Sequence, residues 1–518
     1  MAITRNLNEN RQLKDSAHPR PQQDGVEGVR LDNLTAPHPG PQQDGVEGAR
    51  LDNLATPHPR PQQDEVSQPG KKLKSDGELH LAEVLQLSAA AKELLNARPD
   101  VVTHLAESYR ALYLDDQVLT QPVRHALAAI AARRQGNEVL AQHHGVLADP
   151  TLLGEELPQD LKLEAIIEHV DLITVSPGLV EPEDQYTLQL AGVTPEEIVL
   201  ISQIVAYTST LVRVIDGYTL LADGTPEVST LLTDESATSA AQQDSVPQDS
   251  TPRDPAALDP AGSATLIPKE PAPLTPFNRQ TVAAGRTPAP KVRTTQGSLI
   301  PTDFTMDVLD WEPWVTPPSI NELTDAQRDS FASKAAANSE YFRLLSLVPH
   351  GLKARSALDN AIFLGENGLP RGERELAAAV TSKVNGCIFC ASVHARKAAF
   401  QTKRPEDVNR LLAVSLTRDK NWLPSDVEKL AEGQDERWNA LILFTARLSQ
   451  LIPRAATVDV ERLIIAGLTP EQIGDAILAV AFFSWANRLM LSLGEPAIPG
   501  TGLHSERRTA ETAGRHTT

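Results

Sequence analysis

The sequence has few aromatics, few cysteines and a deficit of basic charge. Phe, Trp and Tyr make up 4% of the 518 residues. None occurs before Tyr109, and none between Tyr218 and Phe277. Stretches that cannot bury bulky apolar surface cannot offset their ordering entropy. They are therefore expected to be disordered, and folded blocks are expected between them. The net charge of −20 excludes nonspecific nucleic-acid binding and attraction to anionic membranes. The polar stretch from Met1 to Lys14 has no apolar segment of a secretory signal. The longest apolar run, Ile473 to Leu493, contains Asp475, Asn487 and Arg488 and reads as a core helix rather than a membrane span. The expected location is the cytoplasm, with neither a membrane nor a nucleic acid as partner. Two cysteines exclude a secreted disulfide scaffold. Spaced three residues apart, they point to catalysis or metal binding.

Residues 1–76 hold a 20-residue repeat that starts at His18 and recurs at His38 and, degenerate, at His58. Its units are rich in Pro, Gln, Asp and Gly and have little to stack, so a disordered arm is expected. From Leu79 apolar residues recur at helical spacing, giving an expected helical domain over 77–222. Residues 223–305 are rich in Pro, Thr, Ser, Ala and Asp and read as a disordered linker. A second helical domain is expected over 306–500, followed by a disordered tail over 501–518. Alternating strand patterns are scarce, so the expected class is all-α.

The two helical blocks resemble each other. At an offset of 250, Pro99 falls on Pro349, Tyr113 on Phe363, Arg124 on Arg374, Gly136 on Gly386 and His144 on His394. At an offset of 275, the Ala-Gly-Val-Thr-Pro-Glu-Glu-Ile string from Ala191 meets Ala-Gly-Leu-Thr-Pro-Glu-Gln-Ile from Ala466, and Arg213 meets Arg488. The extra residues of the second block fall around Arg404 to Gly433.

Asn385-Gly386 breaks a helix, and a new helix is expected near Cys387. On it, Cys387 and Cys390 stand at i and i+3, and Cys390 and His394 at i and i+4, so all three share a stripe. A helix N-terminus favours a thiolate, the species that attacks a peroxide, and His394 can take the proton. The resulting sulfenic acid condenses with the second thiol to a disulfide, which an outside reductant resets. Glu375, on the preceding helix, can orient His394 if the two helices pack antiparallel. The alternatives are a salt bridge from Glu375 to Arg371 or Arg374, a structural zinc site and an inert core pair. Zinc lacks a second cysteine pair, so no metal is expected. His125, His143 and His144 read as surface or pocket-rim histidines. Asn487 and Arg488 read as members of a structural or interface ion pair, and Trp311 and Trp314 as a packing anchor.

The string Glu375, eleven residues, Cys387-x-x-Cys390, three residues, His394 resembles the signature of alkylhydroperoxidase D-like proteins in the carboxymuconolactone decarboxylase superfamily. Arg374 to Ala379, Ala391 to Arg396 and Trp485 to Met490 extend the resemblance over 306–498. The first block is similar to a diverged domain of the same kind, with Asn137, Leu140 and His125 where Cys387, Cys390 and Glu375 stand. The resemblance implies two all-α domains, oligomeric assembly, a peroxidatic Cys390, a resolving Cys387 and a proton relay through Glu375 and His394. The family's best-known member has a second histidine between its cysteines where this chain has Phe389, so the relay is one group shorter and the pocket more apolar. The expected activity is reduction of organic hydroperoxides, without a bound cofactor, by a dithiol, lipoyl or thioredoxin-like reductant in a homo-oligomer. A redox-switched scaffold and a decarboxylase-like enzyme are the alternatives.

Overall fold

The computed structural model describes residues 76–225 and 279–502. The repeat-bearing arm up to residue 75, residues 226–278 of the expected linker and the tail from residue 503 lie outside the described residues. What is described is all-α. The first block runs through α1 (Asp76–Leu85), α2 (Ala89–Asn96), α3 (Pro99–Tyr109), α4 (Gln121–Arg134), α5 (Glu138–Leu147), α6 (Leu161–Val175), α7 (Pro182–Leu190) and α8 (Pro195–Asp223). The second runs through α9 (Asp325–Ser330), α10 (Glu340–Leu345), α11 (Pro349–Leu364), α12 (Arg371–Asn385), α13 (Ile388–Thr402), α14 (Pro405–Ala413), α15 (Glu436–Ser449), α16 (Thr457–Ile465) and α17 (Pro470–Leu493). One antiparallel pair, β1 (Asp310–Pro313) with β2 (Gly494–Ala497), ties the start of the second block to its end, with Trp311 opposite Pro496.

The shared Thr-Pro-Glu strings start the two longest helices. Thr194 accepts from the Glu197 N–H, and the Glu197 carboxylate accepts from the Thr194 N–H at 2.9 Å. Thr469 and Gln472 make the same reciprocal cap on α17. A proline at the first helical position costs nothing there, because its missing N–H would have had no partner. Both helices are long and apolar enough to cross a membrane, but 100% and 94% of their apolar windows are buried inside the protein. They pack against each other. Ser492 meets Ser202, the Thr210 hydroxyl donates to the Ala481 carbonyl, and the Trp485 indole donates to Gln203 at 2.7 Å. The partners run in opposite sequence directions, so the helices are antiparallel. At Gly217 a Cβ would lie 2.5 Å from Ile477, which is how close the two backbones come.

The blocks also exchange arginines. Arg213, on α8, donates at 2.6 Å to the carbonyl of Gln450, just past the end of α15. Arg488, on α17, donates at 3.0 Å to the Thr174 carbonyl in the last turn of α6. Each guanidinium thus satisfies carbonyls that a helix end leaves without partners, and meets the negative end of the helix dipole. The ion pair expected at Arg488 is not what is found. The side chain is fully buried and bonded to carbonyls of Thr174 and Ser484. Replacing Arg213 or Arg488 by Met strands at least one buried carbonyl and should cost about 2 kcal/mol of stability in each case. The two cations repel, and this together with burial pulls the Arg488 pKa down, burial being the larger cause. The double variant should therefore cost less than the sum in a denaturation cycle.

The expected linker boundary needs correction. Residues 279–305 pack against the helices rather than trailing between them. Ala283 is fully buried, Arg286 forms a forked ion pair with Asp184 at 3.0–3.1 Å, and the Gly285 N–H donates to the Lys420 carbonyl. Specific polar contacts anchor this strap, and composition gives no sign of them. The insertion around Arg404 to Gly433 docks on the first block in turn, where the Ser176 hydroxyl donates to the Asn421 carbonyl.

Candidate active site

The turn between α12 and α13 positions both thiols. Gly386 adopts a left-handed φ of +84°, the Gly386 N–H returns to the Lys383 carbonyl, and the Cys387 N–H donates to the Ser382 carbonyl at 2.8 Å. That conformation favours glycine. The break falls one residue later than expected, because Asn385 is the last residue of α12. Cys387 is then the N-cap residue of α13 and Cys390 lies in its first turn. The first block turns identically at Gly136, with φ +72°. There Asn137 caps α5 by accepting from the Leu140 N–H at 2.9 Å, so the cysteine position is filled by a capping side chain.

α12 and α13 pack side by side. His394 Nδ1 consequently meets the Glu375 carboxylate at 2.6 Å, and Arg371 donates to the other oxygen at 3.3 Å. The relay contact and the alternative salt bridge are therefore both present. Glu375 is 1% exposed. Burial pushes its carboxyl up, but His394, Lys397 and Arg371 outweigh that and hold the pKa below the usual value. Burial pushes the His394 pKa down, and Glu375 only partly restores it. At neutral pH the pair is thus carboxylate and neutral imidazole. A carboxylate accepts, so Nδ1–H donates to it and Nε2 is left as the base.

His394 and Cys390 line a chamber of about 30 Å³ together with Glu375, Arg355, Asp359 and Tyr341. Phe363, Phe482 and Phe483 wall it, and the Phe483 ring stands edge-on to His394 at 4.3 Å. This volume suffices for about one water-sized group. Cys387 lines a second chamber of about 750 Å³, walled by Phe304, Trp311, Trp314 and Trp422 with Lys383 beside them. Phe389 and Met490 line both chambers and form the partition between them. Trp311 is also an anchor, donating to the Met490 carbonyl at 3.0 Å. Burial drives the Cys387 pKa well up, with the Cys390 thiol adding to it and Asn487 opposing it. The helix N-terminus does not overcome desolvation at Cys387, which remains a thiol at neutral pH.

Several residues of this site were not expected in it from the sequence, and Asn487, read there as part of an ion pair, makes neutral hydrogen bonds instead. Arg355, Asp359 and Phe363 stand at i, i+4 and i+8 on α11, a spacing that places them on one face. Asn487 donates to Ser382 at 3.0 Å, accepts from Asn385, and reaches the Cys387 thiol. In the first block the positions of Glu375 and His394 hold His125 and His144, whose Nδ1 atoms lie 2.8 Å apart. Both are buried, not at a surface or pocket rim as expected. Burial brings the His125 pKa to about 4 and the His144 pKa well down, so neither is charged at neutral pH. Among the described residues, no three His, Cys, Asp or Glu side chains are grouped to hold a metal ion.

Glu375 can be tested through pH. An imidazole accepts a proton only when neutral, and the folded His394 pKa lies below the ordinary 6.5, so any Cys390 oxidation that relies on it should have its acid limb below pH 6.5. Glu375→Gln removes the charge that raises that pKa, while Lys397 and Arg371 still lower it. The limb should move further toward acid and the rate should drop about 100-fold. Stopped-flow oxidation across pH 4.5–8 reads both.

No curated protein matches the chain. Residues 349–419, which run from the start of α11 past the end of α14 and carry Glu375, Cys387, Cys390 and His394, match the model of the Carboxymuconolactone decarboxylase family.

Proposed function

We propose that the protein is a thiol-dependent peroxidase that reduces organic hydroperoxides through a Cys387/Cys390 dithiol–disulfide cycle. The observation that carries this reading is the Cys390 thiol in one small chamber with a neutral imidazole held by a buried carboxylate at 2.6 Å. His394 takes the Cys390 proton, and the thiolate attacks the terminal oxygen of R–O–O–H. The S–O bond forms as the O–O bond breaks, and the departing RO⁻ takes the proton from His394 and leaves as an alcohol. Cys390 is then a sulfenic acid. Cys387 passes its proton to the departing hydroxyl as its sulfur bonds the Cys390 sulfur, the S–O bond breaks and water leaves as the disulfide closes. An external dithiol, of lipoyl or thioredoxin-like kind, restores both thiols and is itself oxidised. The reading includes cytoplasmic location, homo-oligomeric assembly and a first block that completes the packing without redox chemistry.

The matched family model is also compatible with a second reading, a decarboxylase-like enzyme. Such chemistry needs no dithiol, which weighs against it. Reducing the full chain, adding cumene hydroperoxide and counting peroxide and thiols together separates the readings. Two thiols lost per peroxide, with turnover once a dithiol is added, supports the peroxidase. Thiols that persist through peroxide exposure reject it.

A further inference from the structure

The relay leaves two ionisable side chains of the small chamber unused, Arg355 and Asp359. Arg355 lines the chamber and is 2% exposed. Its Nε and Nη1 atoms are buried and have no hydrogen-bond acceptor. The guanidinium carbon lies 4.9 Å from the Phe482 ring centre and 5.8 Å from that of Tyr341. The Tyr341 hydroxyl is also buried in this chamber without a partner. Asp359, one turn along α11, interacts electrostatically with Arg355, but no hydrogen bond joins them. The other charged groups around His394 are Glu375, Lys397 and Arg371.

A buried guanidinium without an acceptor is costly unless something arrives to accept from it. Packing does not demand the arginine. At the offset of 250, the Cys-less block has Leu105 at this position, buried to 1% exposure in the corresponding helix. The helix therefore tolerates an aliphatic side chain there, and the charge appears only in the block with a nucleophilic sulfur. Two donors without acceptors beside a reacting thiol call for a small anionic atom that exists only during the reaction.

We propose that Arg355, assisted by the Tyr341 hydroxyl, is a catalytic residue that binds the negative charge of peroxide cleavage. It holds the Cys390 thiolate before attack and donates to the leaving alkoxide oxygen as the O–O bond breaks. The electron pair that leaves the bond meets a fixed cation instead of reorganising water. The chamber takes the O–O end of the substrate, and the assignment rests on the peroxidase reading above.

The test uses the full chain with Arg355→Leu, the residue the first block carries, and Arg355→Lys. Stopped-flow oxidation by cumene hydroperoxide should slow about 100-fold or more in Arg355→Leu. Arg355→Lys should recover most of that loss, which a merely structural arginine would not predict. A second readout does not depend on peroxidase activity. In a Cys387→Ser background, Cys390 is alkylated with iodoacetate and with neutral iodoacetamide, and the ratio of rates reports an anion-binding chamber. That ratio should fall about 10-fold in Arg355→Leu and return with Lys. If the leucine variant fails to fold, Arg355→Gln replaces it. Wild-type oxidation rates with an unchanged ratio overturn the proposal. A protein inert to peroxides whose ratio still depends on Arg355 supports the anion site and rejects the peroxidase reading instead.

Discussion

Cys390→Ser should abolish peroxide-dependent thiol loss, whereas Cys387→Ser should stop the cycle after one attack. The asymmetry follows from the two chambers. Cys390 shares its chamber with the base His394, and Cys387 does not. Burial holds Cys387 in the thiol form, and the thiolate is the attacking species. With Cys390 gone, the remaining sulfur is protonated and outside the base's chamber. With Cys387 gone, Cys390 still attacks, but its sulfenic acid has no resolving partner and persists or over-oxidises. Dimedone labelling followed by peptide mass spectrometry should find the adduct on Cys390 in Cys387→Ser and no adduct on Cys387 in Cys390→Ser. A peroxide-dependent adduct on Cys387 would reverse the assigned roles. Phe389 enters the same argument as half of the partition between the chambers. Its bulk separates the attacking sulfur from the aromatic-lined space on the Cys387 side.

Gly368→Ala should lower stability by separating an ion pair that joins the two blocks. Gly368 has φ +74°, and a Cβ there would fall 1.9 Å from the Arg98 guanidinium and 2.1 Å from the Asp475 carboxylate. Arg98 comes from the loop before α3 and Asp475 from α17, and they form a forked pair at 2.6–2.7 Å. Asp475 also accepts from the Leu369 N–H at 2.8 Å and from Arg374 at 3.2 Å. The methyl would separate the pair and leave a buried carboxylate short of a partner. The left-handed backbone costs a non-glycine residue about 1–2 kcal/mol, and breaking a buried ion pair costs about 3–5 kcal/mol. Because Arg98 is partly exposed and can swing aside, the lower end applies, and a total near 4 kcal/mol is expected. Urea unfolding should show the midpoint falling with an unchanged slope. A shift equivalent to less than about 1 kcal/mol would mean the pair does not fasten the blocks.

The helix break at Gly386 and the contact of Glu375 with His394 could be read from spacing, but the shared stripe could not, because Cys387 caps the helix and lines the other chamber. The first two depend on residues close in sequence or on one helical hairpin. Arg355 could not be read this way. Its place beside Cys390 depends on α11 packing against the second block's own core, and a lone arginine in a helix looks like a solvated one. Arg213 and Arg488 were visible as a matched pair, but their function was not. Each pairs with the backbone of the other block, and backbone carbonyls leave no mark on a sequence. The strap over 279–305 was hidden for a related reason. Its proline-rich and threonine-rich composition resembles a linker, while contacts such as the fork from Arg286 to Asp184 and the Val282 N–H to Asp171 secure it.

The central claim is that one hydroperoxide converts the two thiols of the second block into a disulfide. Intact-mass analysis of the reduced full chain after one equivalent of cumene hydroperoxide tests it directly, with peptide mapping to locate the change. The account predicts loss of two hydrogens per chain and a peptide containing a Cys387–Cys390 disulfide. An unchanged mass with both thiols still free to alkylation would contradict it.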